Sequence, residues 1–200
     1  SNEIMEATIY ADRELTMTVE DFINANAFYP SSWRRQIKEL FAGREALNAI
    51  DVLESDMPDK EKLRAVLREE LVPARTLHKL AVEFARAALM REREAGREPD
   101  ERSWRALDVK LAWLDGKASS KELEAAKAAA IAAADAAQLS ACRATAKATA
   151  WDACWAAQAA ASAAATEASD AAYWAAWDAA RYGYWTKQVA IVKRMLGLAI

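Results

Sequence analysis

From Lys117 to Tyr182 the chain contains neither glycine nor proline, and 32 of those 66 residues are alanine. Alanine has the highest helix propensity, and glycine and proline are the residues that interrupt a helix at greatest cost. This third of the sequence has no local reason to be anything but helical. A sheet-rich fold would need β-branched runs broken by Gly/Pro turns at short intervals. Disorder is excluded by an apolar content of 54% and by 8 Trp. With 5 Gly and 2 Cys in 200 residues, collagen-like and disulfide-stapled classes also fail. The expected fold class is all-α, a multi-helix bundle with a long Ala-rich helical hairpin in its C-terminal half.

The hairpin follows from a length argument. One helix from Ser120 to Arg181 would be about 90 Å long. A compact chain of this size has a radius of gyration near ~17 Å and is roughly 45 Å across. Folding the helix once yields two rods that fit. The alanines mark the fold. Ala126, Ala130, Ala133, Ala137, Ala141, Ala144 and Ala148 form one small-residue stripe at 3–4 spacing, and Ala153, Ala157, Ala161, Ala164, Ala168, Ala172, Ala175 and Ala179 form another. A step of five separates the two, so a straight helix would rotate the stripe off its face. A hairpin or sharp kink is expected near residues 149–152, with Thr149 and Asp152 as caps. Small residues on both seams predict close helix approach.

The opposite face of the second rod has a different composition. Trp151, Trp155, Gln158, Ser162, Thr166, Ser169, Tyr173 and Trp177 recur at helical spacing, with aromatic rings at both ends. These rings either pack on the N-terminal helices or form a partner-docking face, since Trp and Tyr are favoured interface anchors. Trp151, Trp155, Gln158, Ser162, Tyr173 and Trp177 are the candidate binding residues.

The remaining organisation reads from helix signals. Residues 1–17 lack periodicity and read as an irregular arm. Thr18 begins a helix that stops before Pro30, Ser31/Ser32 begins the next, and Gly43 interrupts before Ala46–Leu53. Asp56-Met-Pro58 opens a helix whose stripe is Leu63, Val66, Leu67 and Leu71, ended by Pro73. Another runs through Leu77–Leu89. The mixed-charge segment 91–102, REREAGREPDER, reads as a solvated linker rather than an Arg-rich binding site. Asp100 starts a helix through Leu114 that Gly116 closes, and Ser119-Ser-Lys-Glu122 is a capping box. The parts are thus an arm over 1–17, a helical part over 18–95, and an Ala-rich part over 100–200 packed on it as a single unit. The apolar end after Trp185 returns onto the core, forms a homo-oligomer through residues 185–200, or lies on a membrane, in that order of preference.

The chemistry is defined mostly by exclusion. With 27 Lys+Arg against 30 Asp+Glu, neither a nucleic-acid binder nor a DNA mimic is expected. Cys142 and Cys154 read as small apolar side chains, and one histidine cannot complete a Cys/His zinc set. No P-loop, GxGxxG, HExxH or GxSxG occurs. His78 has no marked nucleophile, and the carboxylates lack di-iron spacing. No enzyme activity, metal or cofactor is expected. Neither is a membrane span, because Lys127 and Asp135 interrupt the most apolar tract, and the acidic first fifteen residues do not read as a signal peptide.

Two segments, LREELVPARTLHKLAVEFARAAL (67–89) and DERSWRALDVKLAWLDGKASSKELEAAKAAAIAAADAA (100–137), with AWDA at 150–153 and 176–179, carry a resemblance. The chain resembles Ala-rich helical phage and prophage proteins often labelled immunity proteins of polymorphic toxin systems, over residues 45–180. The resemblance implies a non-enzymatic, cytoplasmic protein of a bacterial host that neutralises a toxin or defence component by direct binding. It supplies no site residues. The alternatives are a small-molecule-binding bundle, with the aromatics and Gln158/Ser162 lining its pocket, and a phage structural protein.

Overall fold

The computed structural model describes residues 15–25, 31–144, 148–181 and 183–198. Ten helices occur among them: α1 (Val19–Ala25), α2 (Ser31–Leu40), α3 (Ala49–Leu53), α4 (Asp59–Val66), α5 (Ala74–Glu94), α6 (Glu101–Leu114), α7 (Ser120–Arg143), α8 (Ala148–Ala163), α9 (Ala168–Ala179) and α10 (Trp185–Met195). The chain is an all-α multi-helix bundle. The one sheet among the described residues is a two-residue antiparallel pair, with Met17 opposite Leu47 and Thr18 opposite Ala46. The expected arm over 1–17 therefore ends in a paired strand at Met17, while residues 1–14 lie outside the described residues.

Helix ends follow the local signals closely. Thr18 Oγ1 accepts from Asp21 N at 3.0 Å and starts α1. Asn48/Asp51 and Ser119/Glu122 form reciprocal capping boxes at α3 and α7. Gly96 ends α5 at φ 82, with Gly96 N donating to Arg93 O and Arg97 N to Glu92 O. That is the two-bond Schellman closure, which needs a left-handed residue at this position. Gly116 closes α6 the same way.

α5 and α8 form the centre. α5 packs against α9, α8, α6 and α10, and α8 also packs against α7 and α6. Leu77, Leu80, Ala81, Phe84, Ala85 and Leu89 of α5 meet Ala156, Ala159, Ala160, Ala163, Ala172 and Ala176 in one buried cluster. Of the first stripe, Ala126, Ala130, Ala133 and Ala141 are buried along α7, Ala137 is half-buried, and Ala144 and Ala148, at the break, are exposed. α10 lies on α4 and α5 with Val189, Ile191, Val192 and Leu196 buried, so this end returns onto the core. No helix among the described residues is long and apolar enough to cross a membrane.

Several expectations need correction. The hairpin break falls earlier than 149–152: α7 ends at Arg143, and α8 already contains Thr149 and Asp152, which are helical rather than capping residues. The second rod is also two helices, broken at 164–167. A long-range bond lies at the second break: Lys110 Nζ, from α6, donates to the Ala165 carbonyl, an acceptor that a continuing helix would use. The stripe Leu63–Leu71 is not one helix. α4 stops at Val66, where Arg68 Nε donates to Ala65 O at 2.8 Å, and Leu67 and Leu71 are buried from the following turn. Of the segment 91–102, Arg91–Glu94 are the last turn of α5 and Glu101–Arg102 the first of α6.

Candidate functional site

The break at 164–167 divides the candidate face between α8 and α9. Trp151 and Trp155 stack on each other on α8, centroids 6.4 Å apart. Tyr173 and Trp177 stack on α9 at 5.1 Å, and Trp177 continues to Trp185 at 4.6 Å. Lys60 Nζ and the Arg64 guanidinium of α4 lie 5.4 and 4.8 Å from the Trp177 ring. Tyr173 and Trp177 thus pack within the chain under a cationic roof, and their rings are half-buried. Ser162 turns to α9, its Oγ donating to Asp178 Oδ2 at 3.0 Å. Gln158 is half-buried on α8 and does not line the cleft described next. Among the described residues, the large apolar side chains that are exposed are Leu40, Ile131, Leu139 and Trp174, none of them in the expected set.

A charged cleft forms where α5, α8 and α9 meet. Its volume is about 140 Å³. Its buried lining is alanine, Ala88 from α5, Ala156 from α8 and Ala179 from α9, with the exposed Ala95 at its edge. Its walls carry Arg91, Glu92, Arg97, Asp152, Asp178 and Arg181, with Trp155 and Tyr184. Only Trp155 was singled out by the face pattern, and Ser162 supports the wall through Asp178. The charged residues were legible as a mixed-sign run and as scattered aspartates, but nothing local indicated that they converge.

The positively charged groups here all have partners. The Schellman turn at Gly96 reverses the chain so that the Arg97 guanidinium meets Glu92 twice, Nε to Oε2 at 2.8 Å and Nη2 to Oε1 at 3.0 Å. Glu92 is only 5% exposed, so this bidentate pair is a partly desolvated one. Arg91 Nη2 donates to the Ala179 carbonyl at 2.6 Å, and its guanidinium lies 4.1 Å from the Tyr184 ring. The exposed Arg181 lies over the Trp155 ring at 3.4 Å.

The carboxylates are less well compensated. Asp178 accepts only from Ser162, and Asp152 accepts no hydrogen bond among the described residues. No ion pair within 4.0 Å reaches either of them among the described residues. Burial pushes the Asp178 carboxyl up to about 6, against the opposing pull of the Ser162 bond and Arg181. Burial also raises Asp152, with the neighbouring Glu92 adding to the effect and Arg97 and Arg91 opposing it.

A second charged cluster lies in the core rather than at a cleft. Lys110 is fully buried with its Nζ 4.6 Å from the Trp113 ring, and His78 meets the same ring edge-on at 5.2 Å. Burial, then Lys110, lowers His78 to about 4, and burial lowers Lys110 to about 8. His78 is therefore neutral near pH 7 and is a packing residue of α5. Cys154 is buried and Cys142 exposed. Among the described residues no group of three or more His, Cys, Asp or Glu is placed to hold a metal ion. Compared with family models, curated proteins and solved structures, the chain matches none.

Proposed function

We propose that this chain is a non-enzymatic protein-binding factor of phage or prophage origin, which neutralises a toxin or bacterial defence component by direct binding in the host cytoplasm. The observation that carries this reading is the size of the cleft between α5, α8 and α9. At about 140 Å³ it is well below the ~300–1,000 Å³ typical of small-molecule sites, and the larger hollows among the described residues, of about 560 and 440 Å³, are more open to solvent. A single side chain inserted from another protein matches it better than a metabolite does. Its rim supports the same reading: Trp155, Tyr184 and Arg181 are half-buried or exposed and of the residue types that anchor interfaces.

The test has two stages. The tagged protein is used to capture binders from lysates of toxin-bearing bacteria, and each captured protein is then co-expressed with and without this chain. The expected result is a captured protein whose growth inhibition or defence activity is relieved in trans. The reading is overturned if an excess of this chain leaves every captured activity unchanged. It is also overturned if nucleotides or metabolites raise the melting temperature strongly in a thermal-shift screen, which would favour the small-molecule bundle.

A further inference from the structure

The cleft is lined by three arginines and three carboxylates, so its formal charge does not indicate what it takes. The distribution of partners does. Arg97 is held by Glu92, Arg91 by a backbone carbonyl and the Tyr184 face, and Arg181 by the Trp155 face. Asp152 and Asp178 are the charges left without a contacting cation among the described residues. Leaving desolvated carboxylates unpaired is costly, and the ordinary remedy is an opposite charge or a proton.

The second observation is what already lies at the site. Arg181 sits in the turn after α9 and is exposed, yet its guanidinium lies 3.4 Å over the ring of Trp155, a cleft residue, and within electrostatic reach of Asp178. A cation near an aromatic face is attracted by the ring quadrupole, and a nearby carboxylate adds to the attraction. The chain thus presents its own guanidinium to the mouth of the cleft.

We propose that the cleft is a binding site for a cationic group, an alkylguanidinium or alkylammonium, received against Trp155 where the walls carry Asp152 and Asp178, and that Arg181, whose guanidinium covers that ring without an ion pair to either carboxylate, is its tethered competitor. This deepens the protein-binding reading and rests on it for the source of the cation: a Lys or Arg side chain of the partner displaces Arg181 and takes its place. The Ser162 hydroxyl, bonded to Asp178 Oδ2, fixes the carboxylate and leaves Oδ1 for the incoming donor. A tethered competitor weakens the apparent affinity of any free cation, because it is present at high effective concentration.

The experiment is a titration followed at the Trp155 indole N–H by two-dimensional NMR, with the peptide Ac-Gly-Arg-Gly-NH2, agmatine and sodium acetate as probes at constant ionic strength. Arg181→Ala should bind the peptide about tenfold more tightly than the wild-type protein, the competitor having been removed. Adding Asp178→Asn to Arg181→Ala should weaken binding about tenfold or more, the loss of one charge-assisted contact. Asp152→Asn provides an independent second variant should the first not fold. Binding of the peptide with these two responses supports the proposal. Unchanged affinity in the aspartate variants, no binding of either cation to Arg181→Ala, or saturable binding of acetate at Trp155 would each overturn it. Binding of agmatine with exclusion of the peptide would retain the cation chemistry and overturn its assignment to a protein side chain. Loss of all cation binding in a protein that still neutralises its partner would overturn this inference and leave the protein-binding function standing.

Discussion

Asp178→Asn should make the protein more stable at neutral pH. The carboxyl lies in the wall of the cleft, accepts one hydrogen bond from Ser162 Oγ, and is pushed by burial from its ordinary 3.8 to about 6. The folded chain therefore holds this proton more tightly than the unfolded chain does. Between the two values the folded state binds more protons, so stability falls as pH rises through this window. The contribution is absent below about pH 4 and complete above about pH 7. The displacement corresponds to about 3 kcal/mol as a ceiling. Because the cleft admits water, about 1–2 kcal/mol is the expected effect after screening. Asparagine preserves the shape and an acceptor for Ser162 while removing the charge. Urea unfolding of both proteins from pH 4 to pH 8 checks this. The stability difference in favour of the variant should be near zero at the acid end and grow to its full value by neutrality. A difference that does not vary with pH, or a variant less stable at pH 7, would refute the assignment of a destabilising buried charge here. Together with the expected loss of cation binding, the same substitution would show binding capacity and stability in opposition at one residue.

Three further outcomes follow from other parts of the fold. Lys110→Met retains the hydrocarbon stem but removes the bond to Ala165 O, and it abolishes a titration. The wild-type amine is lowered to about 8, so its folded form binds fewer protons than the unfolded chain, and wild-type stability should rise between pH 8 and pH 10.5 where that of the variant does not; parallel pH–stability curves would contradict this. Ala172→Leu inserts three carbons at a fully buried stripe position of α9 and should cost about 1–3 kcal/mol, lowering the melting temperature by roughly 2–4 °C per kcal/mol in calorimetry. A thiol reagent should modify Cys142 rapidly in the native protein, whereas Cys154, buried with its thiol pushed up by that burial, should react only on unfolding. Equal native rates at both would show that α8 is open at Cys154.

The legible part of this fold is the part controlled within a turn or two of chain. Thr18, Asn48, Ser119, Gly96 and Gly116 act through bonds to residues no more than five positions away, and the helix ends they produce were readable from spacing. The stripe through Ala126–Ala141 was readable for the same reason. The break at 164–167 was not: the group that bonds its Ala165 carbonyl, Lys110, is 55 residues away, and the local sequence has no Gly or Pro, only Thr166 as a weak helix former within the break. That one break accounts for the largest error at the site. With a continuous helix, Trp151 through Trp177 share a face. With the break, Trp177 packs on Trp185 and α4, and Asp178 turns toward Ser162 and the cleft. The cleft itself joins residues separated by about ninety positions, Arg91 and Ala179 among them, and no periodicity within a helix encodes that meeting.

The alanine excess explains why a charged cleft exists in an otherwise well-packed interior. Helices whose facing positions are alanine can approach closely along their seams, and α7, α8 and α9 do so through Ala130, Ala161, Ala164 and Ala172. Where a third helix crosses such a pair, the same short side chains cannot reach into the space between all three. Ala88, Ala95, Ala156 and Ala179 border that space, and each stops at Cβ. Leucine at any of them would extend into the volume that Asp152, Asp178 and Trp155 surround. The composition that permits close pairing therefore also leaves the cleft open at the three-helix junction. Longer side chains enter it only from the periphery, and those are the charged and aromatic groups that define what it can bind. Ala156→Leu tests this directly. Ala156 is 4% exposed and belongs to the buried α5–α8 seam as well as to the cleft lining, so leucine there should abolish cation binding at Trp155 and cost about 1–3 kcal/mol of stability while circular dichroism still reports a folded helical protein.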